Sequence, residues 1–68
     1  MLVLSRNIGE CIDIFDPTTD VLLMSVMLTS ADRARARIGI EADPAKYKIL
    51  RRELSVEQGL IAGAAELP

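Results

Sequence analysis

The sequence contains no histidine, no tryptophan and only one cysteine, Cys11, in 68 residues. Histidine is the commonest general acid or base and a common zinc ligand, and a single cysteine cannot form an intrachain disulfide. These absences argue against histidine-assisted catalysis, a Cys/His zinc site and disulfide stabilisation. We therefore predict a protein that is not an enzyme and has no cofactor or metal, and we interpret Cys11 as a small buried hydrophobic residue.

Aromatic residues and long apolar runs are also scarce. With one Phe and one Tyr, a chain that is 50% hydrophobic must build its core from aliphatic side chains. The longest apolar run, residues 21–28, is interrupted by Ser25 and is too short to cross a bilayer. No cationic segment followed by an apolar stretch occurs at the start of the sequence, so we expect no secretion signal and a cytoplasmic protein without membrane contact.

The chain is short for an independent fold. Its 68 residues allow one domain, residues 1–68, and bury too little surface for a comfortably stable single chain. Since neither disulfides nor metals can supply the missing stability, self-association remains, and we expect a homodimer.

Charge is distributed unevenly along the chain. The net charge is -2, yet residues 33–52 contain seven basic and two acidic residues, whereas residues 1–32 contain one basic and five acidic residues. Such asymmetry says more about binding partners than the total charge does. Composition alone leaves two interpretations open, an ordinary solvated face and a face that binds nucleic acid.

The residue pattern predicts five short strands within residues 1–50, followed by one helix. The predicted strands are 2–6, 11–15, 21–29, 33–41 and 47–50, separated by polar turns and loops. We expect the second strand to be half-buried and the apolar third strand to be buried on both faces. In the fourth strand Arg33, Arg35 and Arg37 recur at every second position and are predicted to form one basic row.

The helix is predicted over about residues 52–65. Ser55 and Gln58 have the spacing of a capping box that would start it at Ser55, but a start at Arg52 or Glu53 fits equally well. Gly59 and Gly63 would lie inside this helix, and each would weaken it by about 1 kcal/mol relative to Ala. We expect the helix to depend on packing.

Three segments, in order along the chain, resemble the carbon storage regulator family (CsrA/RsmA). They are MLVLSRNIGECIDI (residues 1–14), RIGIEA followed by Asp-Pro (residues 37–44), and Arg52–Glu53 after the last predicted strand. The family comprises small bacterial proteins that bind messenger RNA and control its translation. Two departures reduce the positive charge: Asn7 stands where a second Arg is common in the family, and Asp43 adds a carboxylate.

The resemblance implies a mainly β fold with one C-terminal helix, five short strands per chain and an intertwined homodimer. In such a dimer the first strand of one subunit lies beside the last strand of the other. Each of two equivalent edges is expected to bind a GGA motif in a hairpin loop of an mRNA 5′ leader. The implied role is non-catalytic control of translation initiation or mRNA stability, typically repression, in the regulation of carbon metabolism. Small RNAs that sequester the protein and a protein antagonist are further implied partners.

The resemblance also assigns the RNA-binding residues. Arg52 inherits the principal role, because it matches the arginine that precedes a glutamate at the junction of the last strand and the helix. The other matching positions are Leu4, Ser5, Arg6, Arg37, Lys48, Leu50 and Arg51. Arg33 and Arg35 have no family counterpart and are not assigned to the site. We expect Arg52→Ala to weaken RNA binding while leaving the dimer folded.

A second function stays open beside the first. The negative net charge, Asn7 and Asp43 also fit a CsrA-like protein-interaction module that has weakened or lost RNA binding. Such a module would act by pairing with a related chain or a protein antagonist. Salt-sensitive binding to a GGA hairpin would separate the two functions.

Overall fold

The computed structural model describes residues 1–61 and contains five β-strands followed by one short helix. The elements are β1 (Leu2–Asn7), β2 (Cys11–Phe15), β3 (Leu22–Met27), β4 (Arg35–Ile40), β5 (Lys48–Arg51) and α1 (Arg52–Glu57). The predicted fold class, mainly β with a C-terminal helix, is confirmed. β2 has the predicted bounds, and the ends of the other strands differ from the prediction by one or two residues at most.

The strands form two antiparallel sheets. One contains β1 and β4, and the other has β2 between β3 and β5. In the first sheet Ser5 lies opposite Arg37. In the second, Asp13 lies opposite Ser25 on one side and Leu50 on the other. β1 and β5 of one chain are thus in different sheets, and their pairing between two subunits stays a prediction.

The buried apolar core is small and lies mainly on β2. It consists of Leu4, Cys11, Ile12 and Phe15, none of which is more than 8% exposed. Cys11 is a buried free thiol, which confirms its interpretation as a core residue. With so few buried side chains in residues 1–61, a single chain has little hydrophobic stabilisation.

Two predictions about strand burial were wrong. β2 was expected to be half-buried, but four of its five residues are buried because it is the central strand of its sheet. β3 was expected to be buried on both faces, but all six of its residues are exposed. β3 is an edge strand in this chain. Within residues 1–61, its apolar residues find no packing partner that buries them.

The helix is shorter than predicted because Gly59 ends it. Gly59 has a φ of 73°, a left-handed conformation that favours glycine. The N–H of Gly59 donates to the carbonyl of Val56 at 3.0 Å, and the N–H of Leu60 donates to the carbonyl of Ser55 at 2.9 Å. This pair of hydrogen bonds is a Schellman C-cap. α1 therefore ends at Glu57, and the predicted continuation towards residue 61 was wrong, while residues 62–65 lie outside the described residues.

The start of α1 is at Arg52, one of the three predicted starts. Ser55 is not the N-cap; it lies inside the helix, is buried, and donates its hydroxyl to the carbonyl of Arg51 at 3.4 Å. The capping-box prediction was therefore wrong. No helix among residues 1–61 is long and apolar enough to cross a membrane.

Candidate nucleic-acid interface

β1 directs its predicted site residues to two opposite faces. Leu4 and Arg6 point inward and are 8% and 4% exposed, whereas Ser5, between them, lies on the outer face. Residues directly opposite each other in an antiparallel pair share a face, so Ser5 shares the outer face with Arg37 of β4. Strand alternation thus places Ser5 on the face opposite to its sequence neighbours Leu4 and Arg6.

Arg6 is held inside the protein by an ion pair with Glu53. Its Nη1 donates to Oε1 at 2.8 Å and its Nη2 to Oε2 at 2.6 Å, and Nη1 also donates to the carbonyl of Cys11 at 2.9 Å. The hydrogen bonds from Arg6 lower the pKa of Glu53 to about 2, and the same bonds raise the pKa of Arg6. Arg6 therefore ties β1 to β2 and to the first turn of α1.

Arg52 is held by a second ion pair, with Asp13 of β2. Its Nε donates to Oδ2 at 2.8 Å and its Nη2 to Oδ1 at 2.9 Å, and the Ser25 hydroxyl donates to the same Oδ1 at 2.7 Å. Asp13 is fully buried, while the Arg52 side chain is 32% exposed. Burial by itself would raise the pKa of Asp13, but the hydrogen bonds from Arg52 and Ser25 outweigh it and lower that pKa.

The remaining predicted residues lie on β5. Lys48 binds Asp20 through Nζ and Oδ1 at 3.1 Å, Leu50 is half-buried, and Arg51 is exposed. Arg51 has no ion-pair partner among residues 1–61. Within the same residues, no group of three or more Cys, Asp or Glu side chains is placed to hold a metal ion.

The predicted site therefore falls into two parts in a single chain. Ser5 and Arg37 lie on the outer face of the β1–β4 sheet, and Arg51 and Arg52 lie where β5 meets α1. The ion pair between Arg6 and Glu53 links the inner side of β1 to the second part.

These strands and arginines occur in a chain that matches a family model along most of its length. The model describes the CsrA global regulator protein family, and the match covers residues 1–58. The chain belongs to the CsrA family. The match includes all five strands and α1, and it ends one residue after the helix. No curated protein and no solved structure matches the chain significantly.

Membership of the CsrA family establishes the general function. The family consists of non-enzymatic regulators that bind RNA and act after transcription, so the chain is a post-transcriptional regulator in this general sense. The family resemblance in the sequence is thereby confirmed.

Sequence reasoning missed the partners of the two held arginines in this CsrA family member. Asp13 lies in a strand that was predicted to be half-buried, and Glu53 entered the prediction only through the Arg52–Glu53 motif. A signal for Asp13 was present, since it is the one charged residue in the strand CIDIF. A carboxylate buried in a central strand needs a cation or hydrogen-bond donors as partners.

Proposed function

We propose that the chain is a homodimeric cytoplasmic regulator that binds GGA motifs in hairpin loops of mRNA leaders. Binding would control translation initiation or mRNA stability without a catalytic step. The supporting observation is the unequal pairing of its basic residues. Arg6, Lys48 and Arg52 bind carboxylates, whereas the other five basic residues have no ion-pair partner among residues 1–61. These five are Arg33, Arg35, Arg37, Lys46 and Arg51.

These five cations give residues 33–51 a positive surface although the net charge of the chain is -2. A local field of this kind attracts polyanions even when the whole protein is acidic. Single-stranded loops expose base edges that hydrogen-bond to backbone and side-chain groups, which the edge of a β-sheet supplies. Arg51, exposed at the end of β5, is well placed to add a charged contact.

The homodimer is supported by the apolar surface that a single chain leaves exposed. On β3 the large hydrophobic residues are 43% to 54% exposed; they are Leu22, Leu23, Met24, Val26 and Met27. The outer edge of β3 is also unpaired within the described residues. Exposed apolar strands with free edges are sites of association. A second copy would supply the burial that one chain lacks and would bring β1 of one subunit beside β5 of the other.

A second candidate function is favoured by the ion pair between Arg52 and Asp13. An arginine whose Nε and Nη2 already donate to a buried carboxylate has fewer donors free for RNA. The pair therefore supports a CsrA-like protein-interaction module with weakened or lost RNA binding, which would act through a related chain or a protein antagonist.

The test is binding of the full chain to a GGA hairpin at two salt concentrations, with a matched hairpin whose loop lacks GGA. The regulator is supported by GGA-dependent binding that weakens as salt rises, since phosphate contacts release counterions. A small RNA with several GGA loops should then compete with the leader hairpin. A folded dimer that binds neither hairpin would reject the regulator and support the protein-interaction module.

A further inference from the structure

A groove lined by arginines lies on the outer face of the β1–β4 sheet. We call it the basic groove. Its volume is about 510 Å³, and its lining residues are Ser5, Arg33, Arg35, Ala36 and Arg37. Arg35 and Arg37 are alternate residues of β4, so their side chains leave the same face about 7 Å apart. Arg33 precedes the strand and lines the same groove. The predicted basic row thus becomes two strand residues and one turn residue.

No carboxylate neutralises the basic groove within residues 1–61. None of its three arginines is in an ion pair there, in contrast to Arg6 and Arg52. The residues of β1 on the same face are also uncharged, since Asn7 lies opposite Arg35 and Ser5 opposite Arg37. Three exposed guanidinium groups around one concavity generate a positive potential that attracts a polyanion.

We propose that the basic groove binds the phosphodiester backbone of RNA, with Arg33 and Arg35 as phosphate-binding residues. This inference rests on the proposed RNA-binding function and adds a second contact to it. Guanidinium groups donate paired hydrogen bonds to phosphate oxygens, and the Ser5 hydroxyl offers one further donor.

The lining of the basic groove favours a phosphate backbone over other occupants. It contains no aromatic side chain on which a base would stack, and Ala36 is its one apolar residue. A protein partner would usually insert a large anchor residue into an apolar pocket, which this groove does not provide. Contacts of guanidinium to phosphate position the RNA without reading its sequence. The groove should therefore raise affinity for any RNA that reaches it.

The test compares Arg35→Gln with Lys46→Gln in the full chain. Both residues are exposed, and each substitution removes one positive charge, but Lys46 lies in the loop between β4 and β5 and outside the groove. Affinity is measured over a series of salt concentrations for two RNAs, a GGA hairpin with a single-stranded flank and the same RNA without GGA.

We expect Arg35→Gln to weaken binding of both RNAs about threefold to tenfold. The slope of the logarithm of the binding constant against the logarithm of salt concentration (the salt slope) should become shallower by about 0.7, the value for one lost phosphate contact on a single strand. Arg33→Gln combined with Arg35→Gln should reduce the slope by about 1.4. Lys46→Gln should leave the slope unchanged. The preference for GGA should be the same in the unsubstituted chain and in all three variants. Thermal melts should show that each protein is folded.

The contrary outcomes are distinct from one another. Equal salt slopes for Arg35→Gln and Lys46→Gln would overturn the role of the groove and leave GGA recognition standing. Loss of the GGA preference in Arg35→Gln would contradict a sequence-independent contact. Polyglutamate that binds as tightly as RNA, and is weakened equally by Arg35→Gln, would assign the groove to acidic proteins. A wild-type chain that binds neither RNA would overturn both the groove and the proposed function.

Discussion

The ion pair of Asp13 with Arg52 predicts that its two partners respond unequally to substitution. Arg52→Gln leaves a fully buried carboxylate with the Ser25 hydroxyl as its main remaining donor. Removing one partner of a buried ion pair costs about 3–5 kcal/mol. Because the Arg52 side chain is 32% exposed, water reaches part of this pair, and we expect a loss of about 2–3 kcal/mol.

That loss is large for a chain of this size, since a small single core supplies about 3–5 kcal/mol of stability. Arg52 variants should therefore be markedly less stable than the unsubstituted chain. The geometry does not support the expectation that Arg52→Ala leaves the fold intact. Weak RNA binding by an Arg52 variant would then reflect reduced stability as well as a lost contact.

Asp13→Asn is the informative substitution. It keeps the size of the side chain and its bond with Ser25, and it leaves Arg52 free to turn towards water, so the expected cost is about 1 kcal/mol. It also releases donors of Arg52 for RNA, and affinity for a GGA hairpin should rise about threefold to tenfold.

The assay is urea unfolding followed by circular dichroism at one fixed chain concentration, because a dimer's stability depends on concentration. The double variant Asp13→Asn with Arg52→Gln should be more stable than Arg52→Gln alone. Asp20→Asn is the control: it breaks the exposed pair with Lys48 and should cost less than about 1 kcal/mol. Equal losses for the two single variants, with no coupling between them, would refute the buried pair. Unchanged or lower RNA affinity in Asp13→Asn would refute the claim that the ion pair with Asp13 keeps donors of Arg52 from binding RNA.

Three further predictions concern pH, backbone conformation and association. The pKa of Glu53 is lowered from 4.5 to about 2 by its hydrogen bonds from Arg6, so its contribution to stability is complete above about pH 4.5 and is lost as pH falls towards 2. Urea unfolding should show this loss, and Glu53→Gln, but not Glu57→Gln, should reduce it. Gly9→Ala should lower stability by about 1 kcal/mol because Gly9 has a φ of 88°. Gly39→Ala, whose new methyl group would displace only the flexible thioether of Met1, should cost less in the same urea unfolding experiments, and equal costs would contradict this reasoning. Val26→Lys on β3 should shift the chain towards monomer in sedimentation, while Ser30→Lys in the following loop should not; an unchanged dimer in both would exclude β3 from the interface.

The strands were predictable because their signals are local. The alternation of residues 11–15 and the turn residues on both sides located β2 to the residue. The alternation of Arg35 and Arg37 with Ala36 and Ile38 likewise gave one exposed and one half-buried face. Arg33 was predicted to belong to that strand but lies outside it, because Ala34 adopts a φ of 58°. No local sequence pattern predicts this conformation.

Burial and pairing were not predictable in the same way, because they depend on neighbours distant in sequence. The residues of the Arg6–Glu53 pair are 47 positions apart, and those of the Arg52–Asp13 pair are 39 apart. Alternation identified β2 as a strand, and short length between turn residues identified β3, but neither signal told which strand would be central. As a result, the family resemblance assigned Arg6 and Arg52 to RNA binding without showing that each is already bound to a carboxylate.

The central claim is that this CsrA family chain forms a dimer that binds GGA-containing RNA. Native mass spectrometry of the full chain mixed with a GGA hairpin tests both parts in one measurement. We predict a complex of two chains with two hairpins, and little occupancy when the loop lacks GGA. A complex of two chains that carries no RNA, or that carries both hairpins equally, would contradict the account.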